Sequence, residues 1–263
     1  MSMSTKDKRG VALIVGAGAI VCALLGTYAF VSRKPAADAS GCVGTPERST
    51  VVVLDHSETI TDQTRGEIVA RAVAYISDKA QTNERVTVFN ISEASKKSLV
   101  PVFSRCKPSR SGSRLVTDVR SLERNYQQKF MVPLRQALNA VPQNSKESPI
   151  AQALIDITLT EFLRSPHNSL LVFSDMLENA PPRYSMYSAS CVEQGQTVAQ
   201  FKASRRGAVE RPRFHDTYVE LNIIPRTDVA RTTLRCRDQL WPWFFGDNEG
   251  SRAGLNVDYL PGA

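Results

Sequence analysis

Asp55, Ser57 and Thr59 alternate in the sequence DHSET, directly after an apolar run at residues 49–54. A tight loop at the end of a strand can turn such alternating side chains toward one point. An all-oxygen set with few carboxylates is the donor type that suits Mg²⁺ and Mn²⁺. Acids and hydroxyls are common in loops, so this spacing by itself is weak evidence for a metal site.

Two more oxygen-bearing residues stand where a predicted element begins or ends. Ser148 precedes Pro149 at the start of a helical pattern, and Asp175 follows the apolar run at residues 169–173. Ligands of α/β proteins bind beyond the carboxyl ends of the strands. These positions therefore favour a site at one edge of a sheet.

The order of apolar patterns along the chain predicts an α/β fold. Continuous β-branched runs predict strands that are covered on both faces, and spacings of three and four residues predict helices. The predicted strands are residues 49–54, 85–91, 99–103, 169–173, 217–224 and 254–259. The predicted helices are residues 64–79, 118–140, 149–163, 195–206 and 228–244. We expect a doubly wound, mostly parallel six-stranded sheet with helices on both faces. Pro101 indicates that its strand lies at a sheet edge, because proline cannot donate to a ladder. Residues 176–214 are expected to be an insertion or a long loop.

Three segments resemble the metal-binding loops of von Willebrand factor type A domains. They are VVVLDHSET, SPIAQAL and LLVFSD. The resemblance covers residues 48–260, because the order of strands and helices also matches, and it implies that the strand at residues 99–103 is an antiparallel edge. It implies that Asp55, Ser57, Thr59, Ser148 and Asp175 bind one Mg²⁺ or Mn²⁺ ion. It also implies a non-enzymatic function, in which the ion binds an acidic side chain of a partner protein. The third loop departs from the family pattern, because Asp-Met-Leu replaces the usual Asp-Gly. In the competing interpretation, Asp55 and Asp175 only cap the loops of an α/β sheet, and the site binds no metal.

The N-terminus predicts a membrane anchor. Residues 11–32 contain no charged side chain, and about 20 apolar residues suffice for a helix to cross a bilayer. We expect a cytoplasmic leader at residues 1–10, a linker at residues 33–48, and a domain at residues 49–263 on the periplasmic or extracellular side of the inner membrane. A cleaved signal peptide is the alternative, but its apolar region is usually shorter. The net charge of +7 does not indicate nucleic-acid binding, because five of the 33 basic residues lie in residues 1–34 beside a single acid.

The cysteines agree with an exported domain. Cys22 lies in the predicted anchor, which leaves Cys42, Cys106, Cys191 and Cys236 beyond it, an even number suited to an oxidising compartment. The strand order would bring Cys42 and Cys106 to the same end of the sheet. Cys191 in the insertion would then pair with Cys236 on the last helix. Four unpaired, buried thiols is the alternative.

A basic segment follows the fourth strand pattern. If it lies beside the metal site, it would attract an acidic partner; a solvated charged loop is the alternative. Its charged residues are Lys202, Arg205, Arg206, Arg211 and Arg213.

Two further functions compete with metal-dependent protein binding. One is a structural scaffold with the same fold and no functional metal. The other is a metal-assisted phosphohydrolase that uses Asp55, although Ser57 stands where such enzymes usually carry a second Asp.

Overall fold

The structure, a computed structural model of the chain, describes residues 5–31, 37–55, 57, 59–92, 99–110, 118–139 and 145–261. It divides into two compact units, residues 1–37 and residues 38–263. The first contains one helix, α1 (Thr5–Val31), whose described apolar side chains, such as Ile14 and Leu24, are exposed. Among the described residues, no helix reaches the length and apolarity required to cross a membrane. The predicted anchor at residues 11–32 lies partly outside the described residues and stays a prediction.

The second unit is built on a six-stranded sheet, as the sequence predicts. Its strands are β1 (Arg48–Asp55), β2 (Arg85–Ile91), β3 (Phe103–Cys106), β4 (His167–Ser174), β8 (Thr217–Ile223) and β10 (Gly254–Tyr259). Their order is β10-β8-β4-β1-β2-β3, and every pair is parallel except β2 with β3. Short strands outside this sheet are β5 (Asn179–Ala180), β6 (Tyr184–Ser185), β7 (Phe214–His215) and β9 (Asn248–Glu249).

Helices cover both faces of the sheet. They are α2 (Asp62–Asp78), α3 (Val119–Asn125), α4 (Val132–Leu138), α5 (Ile150–Leu159), α6 (Gln196–Ser204) and α7 (Arg231–Phe244). Alternate residues of β1 point to opposite faces, so Val51 and Val53 pack with α5, α6 and α7, whereas Val52 and Leu54 pack with α2 and α4. Because both faces are buried, the central strands have continuous apolar sequences.

The edge strand lies later in the chain than the sequence predicts. Residues 99–103 were expected to form it, but β3 begins at Phe103 and pairs with β2 as far as Cys106. Pro101 has no N–H to donate to a ladder, so regular pairing begins after it. The antiparallel edge position itself agrees with the prediction.

Two predicted segments are divided. The helix predicted at residues 118–140 is described as far as residue 139 and consists of α3, a π-helical turn (Tyr126–Met131) and α4. The π-helical turn buries Tyr126 and Phe130 in the core. The region 176–214 contains the hairpin of β5 and β6, helix α6 and strand β7. It therefore contains short helical and strand elements, and Tyr184 and Phe201 pack in the same core as β1 and α5.

Candidate functional site

Three turns that the sequence singles out meet at the carboxyl end of the central strands. Asp55 is the last residue of β1, and Asp175 directly follows β4, which is the parallel neighbour of β1. Ser148 lies just before α5 and forms a backbone bridge with Asn179. Parallel strands end at the same edge, so this topology places the three turns together.

The Asp55 carboxylate joins these turns through hydrogen bonds. Its Oδ2 accepts the hydroxyl of Ser148 at 2.9 Å and the hydroxyl of Ser174 at 2.7 Å, while Oδ1 accepts the backbone N–H of Ser57 at 3.0 Å. Ser174 Oγ in turn accepts the backbone N–H of Met176 at 2.8 Å. Asp55, Ser57 and Ser148 are all buried. A buried carboxylate requires such donors, which fix its orientation.

Asp175 is bound to a cation from the chain itself. Its Oδ2 lies 2.9 Å from Nη1 of Arg226, and its Oδ1 accepts the backbone N–H of Leu177 at 2.9 Å. Arg226 also donates through Nε and Nη2, each at 2.8 Å, to the two carboxylate oxygens of Asp228. Those hydrogen bonds from Arg226 lower the pKa of Asp228 to about 2. Arg226 therefore bridges two carboxylates at the rim of the site.

A cleft of about 220 Å³ opens at this rim, and we call it the Asp55 cleft. Its polar lining combines hydroxyls with three carboxylates and one guanidinium. Thr59, which is exposed, contributes to the lining, so four of the five predicted ligands (Asp55, Ser57, Thr59 and Asp175) face one cleft. The fifth, Ser148, contacts Asp55 directly.

The residues around Asp55 suit a hard divalent cation, whereas Asp175 departs from such a site. Asp55, Ser57, Thr59 and Ser148 offer only oxygen donors, as Mg²⁺ prefers. Direct ligation by Asp175 would place an ion beside the positive charge of Arg226, so Arg226 would have to move first. Among the described residues, no three His, Cys, Asp or Glu side chains cluster as metal ligands. Any ion here would rely mainly on hydroxyl oxygens.

Sequence reasoning missed three residues of the site. No role was predicted for Ser174, although its position before Asp175 and next to β1 directs its hydroxyl at Asp55. Arg226 follows the carboxyl end of β8, the parallel neighbour of β4, and that position was the available signal. Asp228 was expected near a helix cap, but α7 begins only at Arg231 and Asp228 binds Arg226 instead.

The five charged residues of the basic segment lie in different environments, some buried and some exposed. Arg205 is buried, where its Nε donates to Val209 O at 2.7 Å and its Nη2 to Gln152 Oε1 at 2.8 Å. Arg211 and Arg213 line a pocket with Leu159, at the end of α5 opposite to Ser148. The other two, Lys202 and Arg206, are exposed. Lys202 lies 3.6 Å from Glu210.

Both predicted disulfides lie within bonding geometry. The Cα atoms of Cys42 and Cys106 are 4.9 Å apart, and those of Cys191 and Cys236 are 5.2 Å apart. The first pair ties the start of the domain to the edge strand. The second ties the region 176–214 to α7.

No family model matches the sequence, and no curated protein matches it. Solved structures similar to the chain include the VWA domain of SpRpn10, with a TM-score of 0.36 and 10% identity over 83% of this chain and 90% of that one. Proximal thread matrix protein 1 from the mussel byssus has a TM-score of 0.36 and 12% identity over 72% of this chain and 41% of its own. The human COPII-coat protein Sec24c has a TM-score of 0.35 and 9% identity over 83% of this chain and 30% of its own. Likeness at this level assigns neither a family nor a function.

Proposed function

We propose that the chain is a membrane-anchored protein-binding module, not an enzyme, whose Asp55 cleft holds one divalent ion and receives an acidic side chain of a partner protein. Asp55, Ser57, Thr59 and Ser148 would hold Mg²⁺ or Mn²⁺, and Asp175 would act through water. The bound ion would supply a positive charge that attracts the partner's carboxylate.

The observation that carries this proposal is the convergence on Asp55. Hydroxyls from two other turns, those of Ser148 and Ser174, donate to one oxygen of its carboxylate. A carboxylate held by hydroxyl donors in an open cleft is preorganised for a small cation, because few groups need to move on binding.

The proposed location rests on the N-terminal sequence and on the cysteines. Helix α1 includes much of the uncharged segment at residues 11–32, and the large apolar side chains described in it are exposed. The two cysteine pairs at bonding distance suit an oxidising compartment. We therefore propose an inner-membrane protein whose second unit lies in the periplasm or outside the cell.

Thermal unfolding of the full-length protein, with Mg²⁺ or Mn²⁺ and with EDTA, tests the metal site. An ion that binds only the folded state at about 100 times its Kd stabilises that state by about 2.7 kcal/mol. We expect this shift in the wild type and its loss in Asp55→Asn. Asp238→Asn changes a half-exposed carboxylate on α7 and should keep the shift. If millimolar metal leaves the wild-type transition unchanged, the ion does not belong to this protein.

The binding function has its own test. Full-length protein incubated with an envelope extract should retain a partner in Mg²⁺ and release it in EDTA, and Asp55→Asn should not retain it. If the same partner is retained by wild type and Asp55→Asn, with and without metal, recognition does not use the cleft.

Arg226 favours a second candidate, a scaffold with no functional metal. Its guanidinium already neutralises Asp175 at the rim of the cleft, as an ion would. The two candidate functions predict different results for the variant Arg226→Gln. This change should strengthen metal binding if the cleft takes an ion, and it should only lower stability if Arg226 is the permanent counter-charge.

A further inference from the structure

A second and larger cavity lies on the other side of the turn that follows β4. Its volume is about 510 Å³, within the range of about 300–1,000 Å³ that is typical of small-molecule sites. We call it the Glu178 pocket. Glu178 and Arg205 form its charged interior, and Phe201, Tyr184, Pro181 and Pro182 form most of its apolar wall.

The two interior charged groups are buried and held in place. Glu178 is 2% exposed, and its Oε2 accepts the backbone N–H of Ala151 at 2.7 Å. Arg205 is 7% exposed and is anchored by Gln152 and by the carbonyl of Val209. Burial raises the pKa of Glu178 to about 8, although the Ala151 N–H and the charge of Arg205 act in the opposite direction.

Glu178 and Arg205 line one cavity, and each charge favours the ionised form of the other without a direct contact between them. No ion pair joins them in the described part of the chain: Glu178 accepts from a backbone N–H, and Arg205 donates to a carbonyl and a neutral amide and lies over the Phe201 ring. Burial disfavours the ionised form of both groups, and a ligand that places a cation on Glu178 and an anion on Arg205 would stabilise that form. The ligand must therefore carry a cation and an anion close together.

We propose that the Glu178 pocket binds a free α-amino acid, with the ammonium group on Glu178 and the carboxylate on Arg205. An α-amino acid carries a cation and an anion on one carbon atom, and so offers one charge to each of the two groups. The side chain of the ligand would lie against Phe201 and the two prolines, where apolar area is available. An arriving ammonium group also favours the ionised form of Glu178.

The mouth of the pocket supports the same ligand class. Asp156, which is half-buried, and Arg183, which is exposed, lie on its wall and again offer one charge of each sign. A pocket for a simple anion would be expected to lack the two carboxyl groups. A pocket for a simple cation would be expected to lack the two guanidinium groups.

Isothermal titration of the full-length protein with each common L-amino acid, up to about 10 mM, tests the proposal. At least one should bind with saturation at a single site. Its N-acetyl derivative and its amide each lack one charge, and each should bind at least about tenfold more weakly. These derivatives also represent the two ends of a peptide, so equal binding by either would show that the ligand is a peptide end, contrary to the proposal.

Variants locate the site. Glu178→Gln keeps an oxygen for the Ala151 N–H and should weaken binding at least about tenfold, as should Arg205→Gln. The neighbouring, exposed Arg206 provides the control, because Arg206→Gln should bind like the wild type. The proposal would also be overturned if no amino acid binds at about 10 mM, or if an amino acid blocked at both its amino and carboxyl groups binds as well as the free one. The same holds if Glu178→Gln binds like the wild type, or if Arg206→Gln weakens binding as much as Arg205→Gln. The titrations with derivatives use the wild type, so they do not depend on the folding of a variant.

Discussion

Glu178 should make the stability of the domain depend on pH. Burial raises the pKa of this carboxyl group from 4.5 to about 8. Between those values the unfolded chain has released the proton while the folded protein keeps it, so stability falls as the pH rises. At about 1.4 kcal/mol per pKa unit the full cost is about 5 kcal/mol, complete above pH 8 and absent below pH 4.5. Glu178→Gln keeps the acceptor for Ala151 and removes the titration.

The assay is urea unfolding of the wild type and of Glu178→Gln at about pH 5 and about pH 9, in EDTA. The variant should gain stability relative to the wild type between the two pH values, by up to about 5 kcal/mol. Glu193→Gln removes an exposed carboxyl group in the same region and serves as the control. If the difference between Glu178→Gln and the wild type is the same at both pH values, Glu178 does not carry the raised pKa and the reasoning fails.

Three further predictions concern stability. Ser174→Ala removes a hydrogen bond to the buried carboxylate at the end of β1 and should lower the unfolding free energy by about 1.5–3 kcal/mol in a urea titration; a loss below about 0.5 kcal/mol would contradict this. The backbone N–H of Arg252 lowers the pKa of Asp216 to about 2, so acid titration should show the wild type losing more stability than Asp216→Asn from about pH 4 to about pH 2, and equal losses would contradict this. Replacing Cys191 and Cys236 together by Ser should cost about 2–4 kcal/mol by urea unfolding, whereas an unchanged midpoint would mean that no bridge forms.

The sheet was predictable because its strands are buried on both faces. Runs such as VVVL at the end of β1 and LLVF in β4 are apolar without interruption, and few other structures bury such a sequence. The edge strand was placed too early because Val100 and Val102 have the apolar character of a strand but are exposed in the structure. In the region 176–214 the sequence predicts the helix but not the strands, since these are two residues long and leave no periodic pattern.

The sequence predicts only those residues of the Asp55 cleft that lie at the ends of predicted strands or at the start of a predicted helix. Asp55 and Asp175 follow two adjacent parallel strands, so their proximity follows from the topology. The partner of Asp175 did not follow from a motif, because Arg226 reaches it from a third strand end, 51 residues later in the chain. Glu178 was missed for a similar reason. Nothing near it in the sequence indicates that Ala151 and the N-terminus of α5 will bury it.

The two proposed sites share one turn, and this allows a single titration to examine both. Asp175 at the start of the turn lines the Asp55 cleft, and Glu178 three residues later lines the second cavity. After burial, which is the main cause, the charge of Asp55 also raises the pKa of Glu178. A divalent ion beside Asp55 would offset that charge and lower the pKa of Glu178, so Mg²⁺ should reduce the pH dependence measured in EDTA. If Mg²⁺ raises stability but leaves that pH dependence unchanged, the ion binds elsewhere and the assignment of the cleft is wrong.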